Sequence, residues 1–337
     1  MITISQIKEF KDYMVNQRHA QRLIEQNTDV GFFDNQYPLK LIKKPDYQMR
    51  TNFVARMING VTQQLISKEP KMYVLPKKAE SGTDKEATKR ISILGNKWIQ
   101  SLLNYAINPF EQTFKNFAIF GESWIYLPHN QLAATYEGDW QEDYPSIMPI
   151  HFIFYDPRIV FADPSEEIDG QPQRAVVWYK RAVGDILEHY PKWTKMGNKK
   201  PHETSDFLLY FDNDLSYAEA DGEPLFRNKK GKLLHGEGQR ENPYHCIPFA
   251  HGFSGWGIDT QGRDPHELAY SRIRMLRSLI TEDSQVRSDQ LYNFHGFAHR
   301  SRTLYLPAGT ELSEDWAASY KNDPDKLNVI QLPEGAS

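Results

Sequence analysis

Residues 264–294 read DPHELAYSRIRMLRSLITEDSQVRSDQLYNF. Asp264 is placed to cap a helix, Pro265 suits the first turn, and Glu267 stands three residues after the cap, as in a capping box with Asp replacing Ser or Thr. With no Pro or Gly from there to Gly296, the spacing predicts one continuous helix over Pro265–Phe294, 30 residues and about 45 Å long. Its first half presents Ala269, Ile273, Leu276 and Ile280 on one face, whereas Thr281–Gln290 holds Val286 as its one apolar residue. A helix so polar cannot be ordinary core: it is stabilised by neighbouring helices through charge pairs, or it lines water. The charges are Arg272, Arg274, Arg277, Glu282, Asp283, Arg287 and Asp289. Read plainly, they alternate in sign to pair with adjacent helices. Copies of such a helix around a ring would instead present repeated charges to a channel.

Upstream, the first 30 residues read as a helix ending near Gly31, with Ile7, Phe10 and Met14 on one face. Met49–Lys68 is amphipathic, with Phe53, Met57, Val61 and Leu65 every fourth residue and Val54 and Ile58 beside them; Pro70 stops it. A short strand is expected at Lys71–Leu75 and a loop at Lys77–Lys85. A second helix is expected over Asp84–Tyr105, with Ile91, Leu94, Trp98, Leu102 and Tyr105 on one face. A third opens at Pro109 with Phe110, Phe114 and Phe117, before Gly121 and a strand at Ser123–Leu127.

From Ile150 to Ala250 the period changes to strands: His151–Tyr155, Ile159–Phe161, Ala175–Lys180 and Phe207–Phe211, with turns at Asp221-Gly222 and Asn228–Gly231. Pro243–Gly262 is Gly/Pro-rich and reads as a structured loop or junction. Beyond the long helix, Thr303–Leu306 and Leu327–Leu332 read as strands. The fold class is α+β in three parts: 1–262, with helices to about 120 and a β-rich region over 121–250; the helix 264–294; and a small region with short strands, 295–337.

A length of 337 residues allows about two or three domains. The net charge of −4 argues against gripping nucleic acid through a globally basic surface. The one cysteine, Cys246, cannot pair within the chain, which fits a reducing compartment. Apolar stretches such as Phe117–Phe120 and Trp124–Leu127 fall short of the ~20 residues of a membrane span, and the polar N-terminus lacks a secretory pattern, so cytoplasmic synthesis is expected. The aromatic load of 18 Phe, 18 Tyr and 7 Trp, against a mean hydropathy of −0.65, suits wide interfaces better than one compact core.

Motifs for chemistry fail on spacing. His295 and His299 have the i, i+4 spacing of a zinc helix, but Gly296 stands where a glutamate is needed. His245, Cys246 and His251 lack the paired spacing of a structural zinc site and read as buried structural residues. Ser254, in His251-Gly-Phe-Ser-Gly-Trp-Gly257, misses the nucleophile-elbow pattern by one residue, and neither nucleotide-binding glycine motif occurs there. Asp156 and Asp163, each before a proline, mark strand ends and turns. The basic runs Lys192–Lys200 and Arg227–Lys232 read as solvated turns. No catalytic, cofactor-binding or metal residue is assigned.

The order of segments resembles that of the portal proteins of tailed bacteriophages over most of the chain. Gln64-Leu-Ile-Ser-Lys-Glu-Pro-Lys-Met-Tyr73 looks like that family's helix leading into a strand, with Lys68-Glu69 where a glycine often precedes the proline. Phe120-Gly-Glu-Ser-Trp-Ile-Tyr126 is similar to its Gly-Glu-small-aromatic strand. Ile153–Phe161 followed by Arg174–Lys180 resembles its paired strands, Asn242-Pro-Tyr-His-Cys-Ile-Pro-Phe249 the segment before the stem, and Ala269–Phe294 the stem helix. The collinear order of these segments carries the resemblance.

What the resemblance implies is a ring, typically a dodecamer, at one capsid vertex: a wing over 1–262, a stem helix, and a clip beginning near His295. Double-stranded DNA would pass through the channel during packaging and ejection, driven by the terminase large subunit. Scaffold, capsid protein and a head-tail adaptor are the other expected partners. The place of action would be the virion, assembled in host cytoplasm, without a membrane, cofactor or enzymatic activity. Family members continue through a second stem helix and usually a crown, so a fragment or a reduced architecture is expected. Rival readings are a hydrolase using the loop around Ser254, and a different head-tail adaptor. At about 100° per residue, Arg272, Arg274 and Arg277 lie near 0°, 200° and 140°, so they cannot all face one channel. At least one is expected to pair with a neighbouring subunit's carboxylate, such as Glu282 or Asp283, and at most two to face DNA.

Overall fold

The computed structural model describes residues 2–39, 48–66, 71, 73–75, 82–103, 108–129, 150–168, 170–194, 199–228, 230–298, 303–306 and 328–331. It is mixed helix and sheet, as the α+β reading expects. Its contacts divide it into two units, Met1–Phe33 with Ala55–Met275, and Asp34–Val54 with Leu276–Ser337. No helix among the described residues is long and apolar enough to cross a membrane.

The first unit opens with α1 (Ile4–Tyr13), started by a capping box in which Thr3 and Gln6 bond each other's backbone N–H. A π turn at Met14–Arg18 separates it from α2 (Ala20–Phe33), so the expected single helix is two segments. The wider turn keeps one face in phase: Ile7, Phe10 and Met14 are buried on α1 and the turn, and Arg22, Gln26 and Asp29 continue the row on α2.

α3 (Phe53–Ile66) lies where its periodicity places it, but it buries Val54, Ile58 and Thr62. The row Phe53, Val61 and Leu65, one residue round the helix, is 56%, 52% and 53% exposed. Of the expected strand Lys71–Leu75, the described residues pair with no other described strand, and a strand without a ladder partner does not form. α4 (Gly82–Leu103) starts inside the expected loop; Leu102 is buried, Ile91 is exposed, and Tyr105 lies outside the described residues. α5 (Pro109–Phe120) is capped by the Asn108 side chain and ends at Gly121, whose φ of 77° is the left-handed conformation glycine adopts without strain.

Two antiparallel sheets follow. In the smaller, β1 (Glu122–Tyr126) runs between β2 (Ile153–Tyr155) and a distant strand at Phe249–Phe253, with Trp124 opposite both Tyr155 and His251. That distant strand corrects the loop expected over Pro243–Gly262: five ladder pairs to β1 override the poor strand propensity of glycine. The larger sheet has the order β3 (Val160–Phe161), β4 (Arg174–Ala182), β5 (Thr204–Asp212), β6 (Leu215–Ala220) and β7 (Glu223–Pro224), and β8 (Gln239–Glu241) also pairs with β6. The strand at Phe249–Phe253 is therefore β9. Between β6 and β7, Asp221 and Gly222 both have positive φ, as a two-residue hairpin turn requires.

Both faces of the larger sheet are covered, and side-chain alternation sorts them. Ala175, Val177, Phe207, Leu209, Phe211 and Ala218 join Trp124, Trp193, Phe249 and α6 (Val183–His189) in one core. Val176, Leu208, Tyr210 and Tyr217 face the other way and pack under Ile7, Phe10 and Met14.

The helix expected over Pro265–Phe294 is two helices, α7 (Pro265–Leu268) and α8 (Arg272–Ala298). Asp264 caps α7 as expected, but its side chain accepts the His266 N–H at 3.0 Å and the capping box with Glu267 is not made; Ala269 then leaves helical geometry at φ −79°, ψ 64°. The reason is close packing from outside the segment. A Cβ on Gly121 would stand 2.4 Å from the Ala269 carbonyl carbon, and one on Gly257 would stand 2.0 Å from the Glu267 oxygen. From Arg272 onward the helix is unbroken to Ala298.

The second unit holds most of α8 and, beyond it, β10 (Thr303–Leu306) and β11 (Asn328–Gln331), which pair in parallel where the two C-terminal strands are expected.

Candidate functional site

The charged helix α8 begins at Ser271, whose hydroxyl oxygen accepts the Arg274 N–H at 2.9 Å and donates to Asp29 at 2.8 Å. The Arg274 guanidinium turns back onto the end of α7, donating to the carbonyls of His266 at 2.8 Å and Ala269 at 3.3 Å. It also lies 3.5 Å from Glu25 and 4.0 Å from Asp29. Arg274 thus joins the two helices with carboxylates of its own chain. Arg272 is exposed and lies over the Trp256 ring at 5.4 Å. Arg277 is half-buried, and its carbonyl accepts the Thr281 hydroxyl at 2.8 Å.

Further along, Asp283 and Arg287 form an exposed i, i+4 pair at 2.9 Å, with the Thr51 hydroxyl 3.5 Å from the same carboxylate oxygen. At most a few tenths of a kcal/mol, about 0.3–0.5, comes from such a pair. Glu282 and Asp289 are exposed. The polar half of α8 nevertheless has a buried row, made of serines. Ser284 shares a hydrogen bond of 2.5 Å with the Tyr37 hydroxyl, and Ser288 accepts the Met49 N–H at 2.9 Å. Small side chains let the segment around Tyr37 approach the helix closely, so one face of Thr281–Gln290 is taken by this chain's own residues. On the opposite face, Leu279 and Val286, one heptad apart, are 61% and 53% exposed.

A polar network that sequence reasoning missed fills the interior of the first unit. Glu122 on β1, 1% exposed, takes bonds from Arg22, from Gln26 at 2.7 Å, from the Trp124 indole at 3.0 Å and from His251 at 3.3 Å. Arg22 also donates to the Val160 carbonyl at 2.9 Å. The His251 imidazole stacks on Trp124 at 3.7 Å, and its second nitrogen lies 3.5 Å from Glu167, which Arg263 holds at 2.9 Å. Arg18 bonds Asp163 at 3.1 Å and the Gly262 carbonyl at 2.8 Å. Burial alone would raise the Glu122 carboxyl, but the Arg22 charge and the His251 and Gln26 bonds outweigh it and hold it at about 2. Burial opposes ionisation of Glu167 too, and His251 and Arg263 bring it below the usual carboxylate range. Burial, with Arg22 and Arg18 nearby, pushes His19 well below the ordinary histidine value, although Glu122 and the Ala162 carbonyl oppose this. A sequence signal existed: Arg22, Gln26 and Asp29 continue the spacing of Ile7, Phe10 and Met14, so polar residues occupy a core face.

The residues singled out for chemistry are dispersed. Both His251 nitrogens face carboxylates, while the Ser254 hydroxyl donates to the Tyr270 carbonyl at 2.8 Å, so serine and histidine are not bonded to each other. His245 and Cys246 are exposed, correcting the expectation that they are buried: they lie in the connection between β8 and β9, outside the paired strands, with His245 at φ of 50°. Asp156 and Asp163 each cap a short 3₁₀ turn, as expected of Asp-Pro. Among the described residues no group of His, Cys, Asp and Glu is arranged to hold a metal ion, and His299 lies outside them. No protein-family model matches the chain, and no curated protein matches it.

Proposed function

We propose that this chain is a ring-forming structural protein of the phage portal type, through which double-stranded DNA is packaged and ejected. In this reading the terminase large subunit supplies the ATP-driven force, and scaffold, capsid protein and a head-tail adaptor dock on the ring. The chain itself has no catalytic role.

The observation that carries the reading is the surface of α8. One face is committed to the chain's own residues through Ile280, Ser284 and Ser288, while the opposite face holds Leu279 and Val286 in water. Glu282 and Asp289 flank that apolar pair on one side, and Asp283 and Arg287 flank it on the other. An apolar seam with charged borders is what a helix presents to another helix. The further exposed row of Val61 and Leu65 on α3, and the collinear portal-like segments, support a chain that buries more surface on assembly.

Light scattering of the purified full-length chain tests this. A ring gives a mass many times the 39.2 kDa of one subunit, whereas a monomer or dimer at every concentration is incompatible with it.

A further inference from the structure

Beside the larger sheet, a groove of about 340 Å³ lies between the end of α6 and the segment after β7, with β8 at its edge. Its walls combine rings with cations: Tyr190, Phe226 and Leu234 give an apolar surface, and Lys192, Arg227 and Arg240 bring positive charge. Among the described residues no carboxylate lines it. Arg227 is committed to Glu223. Lys192 is different, since its ammonium donates to the Asn228 carbonyl, which leaves the charge uncompensated. The Arg240 guanidinium lies over Phe226, 4.6 Å from the ring centroid, and its Nε donates to the Ser216 hydroxyl at 3.4 Å. Among the described residues neither Lys192 nor Arg240 has an acidic partner within ion-pair distance. Arg240 also borders a second groove, and Asp212, Asp214 and Glu241 belong to that one.

Two cations without counter-charge beside the half-buried rings of Tyr190 and Phe226 define the complementary ligand: an anionic head joined to a flat ring. Oxyanions recruit lysine and arginine through charge-assisted bonds, and planar rings stack on guanidinium and aromatic faces. The volume is at the small end of the range for small-molecule sites, roughly 300–1,000 Å³, which suits one nucleotide rather than a folded partner. We propose that this groove binds a ring-bearing phosphate monoester of nucleotide size, its phosphate on Lys192 and Arg240 and its ring against Phe226 and Tyr190. This goes beyond the ring-forming reading and does not depend on it.

The test is isothermal titration of the full-length protein at low salt with adenosine monophosphate, adenosine, inorganic phosphate and a short glutamate peptide. Saturable binding of the monophosphate is expected, with the other three weaker. Lys192→Ala and Arg240→Gln should each weaken it at least about tenfold, the loss expected for one charge-assisted bond. Lys192 is exposed, so its variant tests the site even if Arg240→Gln disturbs β8. Three results overturn the proposal: no saturation by the monophosphate at millimolar concentration, binding unchanged in the Lys192 variant, or the glutamate peptide binding as tightly.

Discussion

Glu122 receives four side-chain donors on two oxygens, and Arg22, fully buried opposite it, has no other carboxylate within bonding distance among the described residues. Removing only the charge, as Glu122→Gln does, leaves that guanidinium buried without compensation. It should destabilise the protein by about 3–5 kcal/mol, read from the urea midpoint. The same interior fixes a pH dependence. His19 and Glu122 both have folded values below their ordinary ones, so in the window between the two values the unfolded chain binds more protons. Their stabilisation is present at neutral pH; it should begin to fall below pH 6.5 as unfolded His19 protonates, and fall again between pH 4.5 and about 2 through Glu122. Urea midpoints across this range check it, and His19→Gln should flatten the upper part while leaving the lower. This interior was only partly legible in the sequence. The phase of Arg22, Gln26 and Asp29 signals burial, but their partners lie about a hundred or more positions away, and nothing local connects Arg22 to Glu122 or Glu122 to His251.

At the scale of elements, local chemistry predicted what local chemistry controls. Pro109, Asp264 and Gly121 stand at helix ends where capping rules put them, and the Asp221-Gly222 hairpin forms. The misses come from contacts that no window contains. β9 exists because β1 pairs with it, and α7 ends at Leu268 because Gly121 and Gly257 bring backbone against the next turn. Gly121 is under two constraints at once, a positive φ and an approach that leaves no room for a methyl group. Gly121→Ala should therefore destabilise by more than about 2 kcal/mol, beyond the usual cost of alanine in a left-handed position. Gly222→Ala has the same sign of φ but open space around it. It should cost about 1 kcal/mol, and comparing the two by thermal unfolding separates conformation from packing.

For the whole molecule, the seam on α8 distinguishes assembly from folding. Leu279 and Val286 are exposed in the single chain, so Leu279→Glu and Val286→Glu should change thermal stability of the subunit by no more than about 0.5 kcal/mol. Each should reduce the yield of large assemblies measured by size-exclusion chromatography with light scattering. Of the charged set read from sequence, Arg274 is engaged within the chain, and Asp283 and Arg287 pair with each other. Sequence placed these residues on one helix but could not say which face its own chain would cover. That depended on Ser284 and Ser288, whose polarity suggests solvent and whose size permits close packing. The most direct measurement is negative-stain imaging of the purified full-length protein: a portal-type chain gives closed rings with a central hole and a constant number of subunits, whereas single small particles at every concentration would contradict it.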